Sequence, residues 1–167
     1  VTALNATAET RAQLRHRRVR NVWAVVQFPG EADDAAATNK QKLGAEGACA
    51  FEMPRLERST ARGSSLRKTL KRAFRNEKYG KSGISGADGN VRFVLMGQDA
   101  QEAKETELGT ASCFLPGLLE QGHDLVNAQL PVVDANGGEM GTLTCTVSAV
   151  DALRVIAALA ATALPEG

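Results

Sequence analysis

The stretch that most limits the fold lies near the end of the chain. From Gly141 to Val150, Leu143, Cys145 and Val147 alternate with Thr142, Thr144 and Thr146. Successive side chains of a β-strand point to opposite faces, so this pattern requires a sheet with one face on an apolar core. The same period recurs from Ala48 to Met53, where Cys49, Phe51 and Met53 alternate with Ala50 and Glu52. In Val19 to Phe28, Val22, Ala24, Val26 and Phe28 take one face while Trp23 and Val25 take the other, so both faces need cover. Val91 to Met96 is almost wholly apolar and reads as a central strand. A short strand at Val1 to Leu4, a charged edge strand at Lys40 to Leu43, and strands at Leu108 to Leu115 and within Asp124 to Val133 complete the set. The last of these runs toward Asn136-Gly137, a strong turn signal.

Helical periodicity is rarer. Ser64 or Ser65 can cap a helix whose stripe is Leu66, Leu70, Ala73 and Phe74. Pro116 to Gly122 reads as a short helical turn, and Asp151 to Leu164 as a terminal helix. Asn5 to Gln13 reads as a polar connection, Glu31 to Asn39 as an Ala-rich loop, and Gly80 to Asn90 as a Gly- and Ser-rich surface loop. These elements predict an all-β, antiparallel β-sandwich of seven to eight strands with one interior helix and a C-terminal helix. Residues 1–150 form the sandwich, and residues 151–167 form a helix that packs on it or on a partner.

A chain of 167 residues buries a core without disulfide or metal staples. The most apolar run, Val155 to Leu164, falls well short of the roughly 18 residues a membrane span needs, which predicts a soluble domain. With Val1 first and no basic-apolar leader, the sequence reads as a segment of a larger protein without a targeting peptide of its own. Cys49, Cys113 and Cys145 are odd in number and far apart, which fits neither a disulfide framework nor a zinc site and predicts a reducing compartment. The net charge of +1 conceals a split: residues 1–81 hold 17 Lys and Arg against 8 Asp and Glu, and the rest holds 3 against 11. In a sandwich this asymmetry predicts a basic and an acidic face that favour charged partners.

Catalytic patterns are not found. Gly80-Lys81-Ser82 resembles the end of a phosphate loop, but Arg75 stands where that motif needs a glycine. His16 and His123 are isolated from each other and from metal-ligand spacing, and Ser64, Ser65, Ser82 and Ser85 lie outside any nucleophile elbow. The reading is a non-enzyme with no cofactor, no catalytic residue and no metal ligand.

What remains is charge. Arg15, Arg17 and Arg18, with His16 and Arg20 beside them, precede the first firm strand. Arg67, Lys71, Arg72 and Arg75, with Lys68 and Lys78, surround the short stripe of the interior helix. One reading is a docked helix with a solvated basic rim. The other is a basic binding face built from Arg15, Arg17, Arg18, Arg67, Lys71, Arg72 and Arg75, which meets either an acidic protein patch or anionic lipid. Nucleic acid is not expected, because no aromatic residues interleave with the cations. The terminal helix, apolar almost all round from Leu153 to Leu164 with Arg154 the one charge in that span, wants cover on more than one side.

A resemblance runs through the last third of the chain. Leu108-Gly109 opens a strand, Leu118-Leu119-Glu120 turns, Gly122-His123-Asp124-Leu125 follows, then Leu130-Pro131-Val132-Val133 and Gly141-Thr142-Leu143-Thr144-Cys145-Thr146-Val147. This order resembles the C-terminal C2-type domain of the retinitis pigmentosa GTPase regulator-interacting protein family. The resemblance implies a scaffold in the cytoplasm, at the ciliary base or transition zone, whose terminal domain binds the propeller domain of the GTPase regulator. C2-type domains that bind calcium carry Asp residues at positions where this chain has Gln98, Ala100 and Thr106. A hard cation that needs six to eight oxygens would lack its bridging ligands, which predicts calcium independence. Two functions follow: a calcium-independent protein tether, or a peripheral membrane module that reads anionic lipid. Salt separates them, because lipid binding weakens sharply as ionic strength rises.

Overall fold

The computed structural model describes residues 1–30, 35–44, 47–53, 55–78, 89–99, 101 and 104–161, apart from the side chains of residues 76–78. The elements are β1 (Ala3–Ala6), α1 (Ala8–His16), β2 (Val19–Gln27), β3 (Ala36–Ala37), β4 (Gln41–Lys42), β5 (Ala48–Ala50) and α2 (Ser65–Lys78). They continue with β6 (Asn90–Asp99), β7 (Glu105–Phe114), α3 (Leu115–Gln121), β8 (Leu125–Val133), β9 (Glu139–Val147) and α4 (Val150–Ala161).

All strand pairs are antiparallel, in the order β3-β2-β6-β7-β8-β9-β1-β5, with β4 on β2 beside β3. The path bends sharply at one place. β6 and β7 pair along their full lengths, as do β8 and β9, yet β7 and β8 share only the Thr110–Val133 pair. The sheet therefore folds into two layers, β3/β4-β2-β6-β7 and β8-β9-β1-β5, joined at that pair: a C2-type sandwich. Gly109 permits the junction. A Cβ there would lie 2.7 Å from the Val133 carbonyl oxygen and 2.6 Å from Met140 Sδ. The opposite edges also meet, since Asn39 N–H donates to the Glu52 carbonyl at 3.1 Å and Glu52 N–H donates to Asn39 Oδ1 at 2.8 Å.

The two inner faces supply the core. Val22, Ala24 and Val26 of β2 stand opposite Gly97, Leu95 and Phe93 of β6. From the second layer come Leu4, Leu143, Cys145 and Val132, each at most 1% exposed. The alternation read from Gly141 onward fits this burial, with Leu143 and Cys145 buried and Thr142, Thr144 and Thr146 at least partly exposed. The second face of β2 is covered too. Trp23 is buried beneath the Lys40 ammonium, which sits 4.4 Å from the ring centroid.

Among the described residues nine strands stand where seven to eight were expected, because β3 and β4 are two-residue pairings and β3 falls inside the expected Ala-rich loop. The Val1 to Leu4 strand is displaced to Ala3–Ala6. A larger departure is α1, which occupies the expected polar connection. Thr7 caps it by accepting from Thr10 N–H at 3.2 Å, and only Thr10 and Leu14 are buried on it. Two buried side chains in nine residues make too narrow a stripe for periodicity to register. The Gly80 to Asn90 loop, with Gly80-Lys81-Ser82 and Ser85, lies outside the described residues up to residue 88.

The terminal helix joins the same core. Leu153 and Ile156 are each 1% exposed, and Ala160 is buried. Ala149, at its N-cap, has no side chain to hold the orphan amides, and Asp124 from the α3–β8 turn supplies it instead. Its Oδ1 accepts from Ala149 N–H at 2.7 Å and Val150 N–H at 2.9 Å. These bonds, from Val150 first and Ala149 second, hold the Asp124 carboxyl below its ordinary pKa. A depressed carboxylate pKa contributes stability that is present above the unfolded value and lost as pH falls through the folded one. Asp124→Ala is therefore expected to cost about 1 kcal/mol at pH 7. Asp124→Asn keeps the cap at pH 7 and flattens the loss of stability below about pH 4. Urea denaturation of the three proteins at pH 7 and pH 3 measures both effects.

Candidate functional site

The expected basic face resolves into two groups at opposite ends of β2. The first follows α1. Arg15, His16, Arg17 and Arg18 are all exposed, and Arg18 adopts φ +57° as the chain reverses into β2. The amide of Arg17 donates to the carbonyls of Gln13 and Arg15, and Arg18 N–H donates to the Arg15 carbonyl at 3.1 Å. These cations lie in or just after the last turn of α1, the negative end of the helix dipole, which favours positive charge. Arg20, on β2, extends the exposed group.

The second group is on α2, which Ser64 caps by accepting from Arg67 N–H at 3.2 Å. The stripe is as expected, with Leu66, Leu70 and Ala73 buried and Phe74 packed against them. The α2 N-terminal half abuts the end of β2, since a Cβ on Gly30 would collide with the Thr69 hydroxyl. At about 3.3 Å per residue, the nine residues of β2 separate the two groups by roughly 30 Å.

The α2 cations also divide by depth. Lys71 is 6% exposed and does not belong to any basic face. Arg67 is half-buried, with its guanidinium donating to the Thr60 carbonyl at 3.4 Å, and Arg75 is half-buried. Arg72 is exposed, as is Lys68. The cause is spacing: 67, 71 and 75 form one i, i+4 row beside the apolar stripe, while 68 and 72 lie on the far side. A count of cations does not reveal this, whereas the spacing does.

The acidic β6–β7 hairpin is the other charged feature. Ala100 and Glu102 lie outside the described residues. Gln98 and Thr106 are strand residues, paired with Glu105 and Gly97. The Lys40 ammonium lies 3.0 Å from Glu105 Oε1 and 3.5 Å from Gln98 Oε1, so a cation of the chain itself sits at the hairpin base. Asp99 Oδ1 accepts from Gln101 N–H at 2.6 Å. Among the described residues, no group of three or more His, Cys, Asp or Glu is placed to hold a metal ion.

Burial pushes the Cys49 and Cys113 thiols up to about 11 and raises Cys145 as well, which disfavours the nucleophilic thiolate at neutral pH. His123 is exposed, with Nδ1 3.0 Å from the Asp124 carbonyl oxygen. Among the described residues no helix is long and apolar enough to cross a membrane.

Comparison with known proteins adds a family. The model described as Retinitis pigmentosa G-protein regulator interacting C-terminal matches residues 6–158. Among solved structures, a chain described under "CC2D1B coordinates ESRCT-III activity during the mitotic reformation of the nuclear envelope" is similar at TM-score 0.49 and 13% identity. The likeness covers 84% of this chain and 51% of that one, so this chain spans about half its length.

Proposed function

The chain belongs to the family of retinitis pigmentosa G-protein regulator interacting C-terminal domains, its role is protein interaction, and we propose that it is a calcium-independent C2-type tether. Its partner in this proposal is the propeller domain of the GTPase regulator, and its place is the cytoplasm at the ciliary base or transition zone. The observation that carries the reading is the family match over residues 6–158. Calcium independence draws support from the hairpin, where Lys40 holds Glu105 and Gln98 occupies a position that calcium-binding relatives give to Asp. The ion pair itself is exposed and contributes little to stability, so its weight here is positional.

The exposed cations after α1 are the contact we assign to an acidic partner surface. Reversing Arg15, Arg17 and Arg18 to Glu is expected to weaken partner binding about tenfold at low salt, mainly through slower association. Reversal at Lys68 and Arg72 measures the α2 end separately. Binding by surface plasmon resonance that is unchanged in both variants would leave these side chains as helix-terminal charges. The exposed cations equally favour a second reading, a peripheral membrane module for anionic lipid. In that case the same reversal abolishes capture by anionic liposomes.

A further inference from the structure

The cations after α1 stand on two adjacent backbone irregularities. The helix ends with Arg17 as its C-cap, and Arg18 follows at φ +57°. Glycine usually takes that left-handed position, because a side chain there crowds the following carbonyl oxygen. Just beyond, the ladder with β6 slips: Val19 pairs with Asp99 and Asn21 with Gln98, so Arg20 is the extra residue of a β-bulge. A bulge bends its strand and re-aims the side chain it carries. Strained positions of this kind cluster at binding sites. The dipole of α1 favours cations in its last turn, where Arg15 and His16 stand. It gives no reason for arginine in place of glycine at position 18, nor for Arg20 on β2.

Arg15, Arg17, Arg18 and Arg20 are all exposed, and among the described residues no side-chain hydrogen bond or ion pair holds any of them. All four are arginine, whose planar fork donates paired bonds to phosphate or carboxylate oxygens. Their neighbours decide which anion fits. On one edge of β2, Lys42 stands opposite Asn21 and adds an exposed cation. On the other, Asp99 lies beside Val19, and one strand further Glu107 is exposed next to Glu105, which Lys40 holds. At about 4.8 Å between strands, negative charge begins within about 10 Å of the arginines. A membrane or nucleic-acid surface would lie across both and meet repulsion from the hairpin. Nor does the cluster offer a membrane anything to insert, since the exposed large apolar side chains, Val126, Val133 and Val155, are on β8 and α4. A single focal anion avoids the hairpin. A carboxylate offers two oxygens for one fork, whereas a phosphoryl group is nearly dianionic at pH 7 and offers three.

We infer that Arg15, Arg17, Arg18 and Arg20 form a phosphate clamp, to which the acidic partner surface presents a phosphorylated serine or threonine. The inference rests on the assignment of this cluster as the partner contact. Phosphorylation strengthens the complex and is not required for it: one charge-assisted hydrogen bond to the phosphoryl group adds about tenfold in affinity.

The test is an NMR titration of the whole 15N-labelled chain with N-acetyl-O-phosphoserine amide, and with N-acetylaspartate amide at equal ionic strength. Saturable shifts confined to residues 15–21 are expected with the phosphoserine probe, with a dissociation constant on the order of 1 mM, and none with the aspartate probe. Arg18→Gly should raise the urea midpoint, by relieving the left-handed strain, and weaken phosphoserine binding about tenfold. A purely structural role for Arg18 does not produce that opposition. Lys68→Glu with Arg72→Glu should leave phosphoserine binding unchanged. The same probe should displace the propeller domain, and vesicles containing phosphatidylserine should not be captured. Equal shifts with both probes overturn the clamp, and vesicle capture that phosphoserine displaces overturns a protein as the source of the phosphate. Phosphoserine binding that leaves propeller binding untouched keeps the clamp and overturns the contact assigned above.

Discussion

Gly141→Ala lowers the unfolding free energy by about 2–6 kcal/mol, measured by urea denaturation at pH 7. Gly141 pairs with Ala6 on one side and Val132 on the other, so β9 is hemmed in by backbone on both edges. A Cβ would be driven into the Asn5 carbonyl oxygen and would lie 2.8 Å from Ala6 Cα. Neither is the free end of a side chain, so relief requires β1 to move. The residue also has φ +151°, outside the range L side chains favour. Strain of about 1–3 kcal/mol from the backbone and a similar cost from overpacking give the total. Gly63→Ala is the control: its φ of +85° carries the strain alone, and no atom lies within 4 Å of the new Cβ. It should cost about 1–2 kcal/mol.

Leu153→Ala is expected to cost about 3 kcal/mol, because the side chain is 1% exposed and sits in the common core. The outcome decides whether α4 belongs to the domain or waits for a partner. If the helix only rested on the surface, truncating Leu153 would lower the unfolding free energy by no more than about 0.5 kcal/mol. Val155→Asp, at a position 58% exposed on the same helix, should stay within about 0.5 kcal/mol of the parent.

Much of the sandwich is legible in the residues because strong period-2 signals coincide with strong burial. Leu143 and Cys145 against Thr142 and Thr144, and Val22, Ala24 and Val26 against Trp23, leave few ways to place a sheet. Helix α1 escaped for the opposite reason: its fold signal is a Thr7 cap and a single buried leucine, which resemble a polar loop. Asp124 escaped as a cap because its partners lie 25 and 26 residues away, beyond the reach of a local motif.

The basic residues show a different limit. Their charge was plain in the sequence, and their separation was not, because it depends on β2 carrying α1 at one end and α2 at the other. The depth of Lys71, by contrast, follows from its i, i+4 spacing beside the apolar stripe. That residue is as basic as Arg72 beside it, yet the helix turns Lys71 inward and Arg72 to water.

The central claim is that this domain holds a protein without calcium. Its most direct measurement is a calorimetric titration of the 167-residue chain with the purified propeller domain of the GTPase regulator, in calcium and in chelator, beside liposomes of anionic lipid under the same two conditions. The account predicts a one-to-one protein complex of equal affinity in calcium and chelator, with no liposome capture. Liposome capture that chelator removes, with no complex formed by the propeller domain, would contradict it.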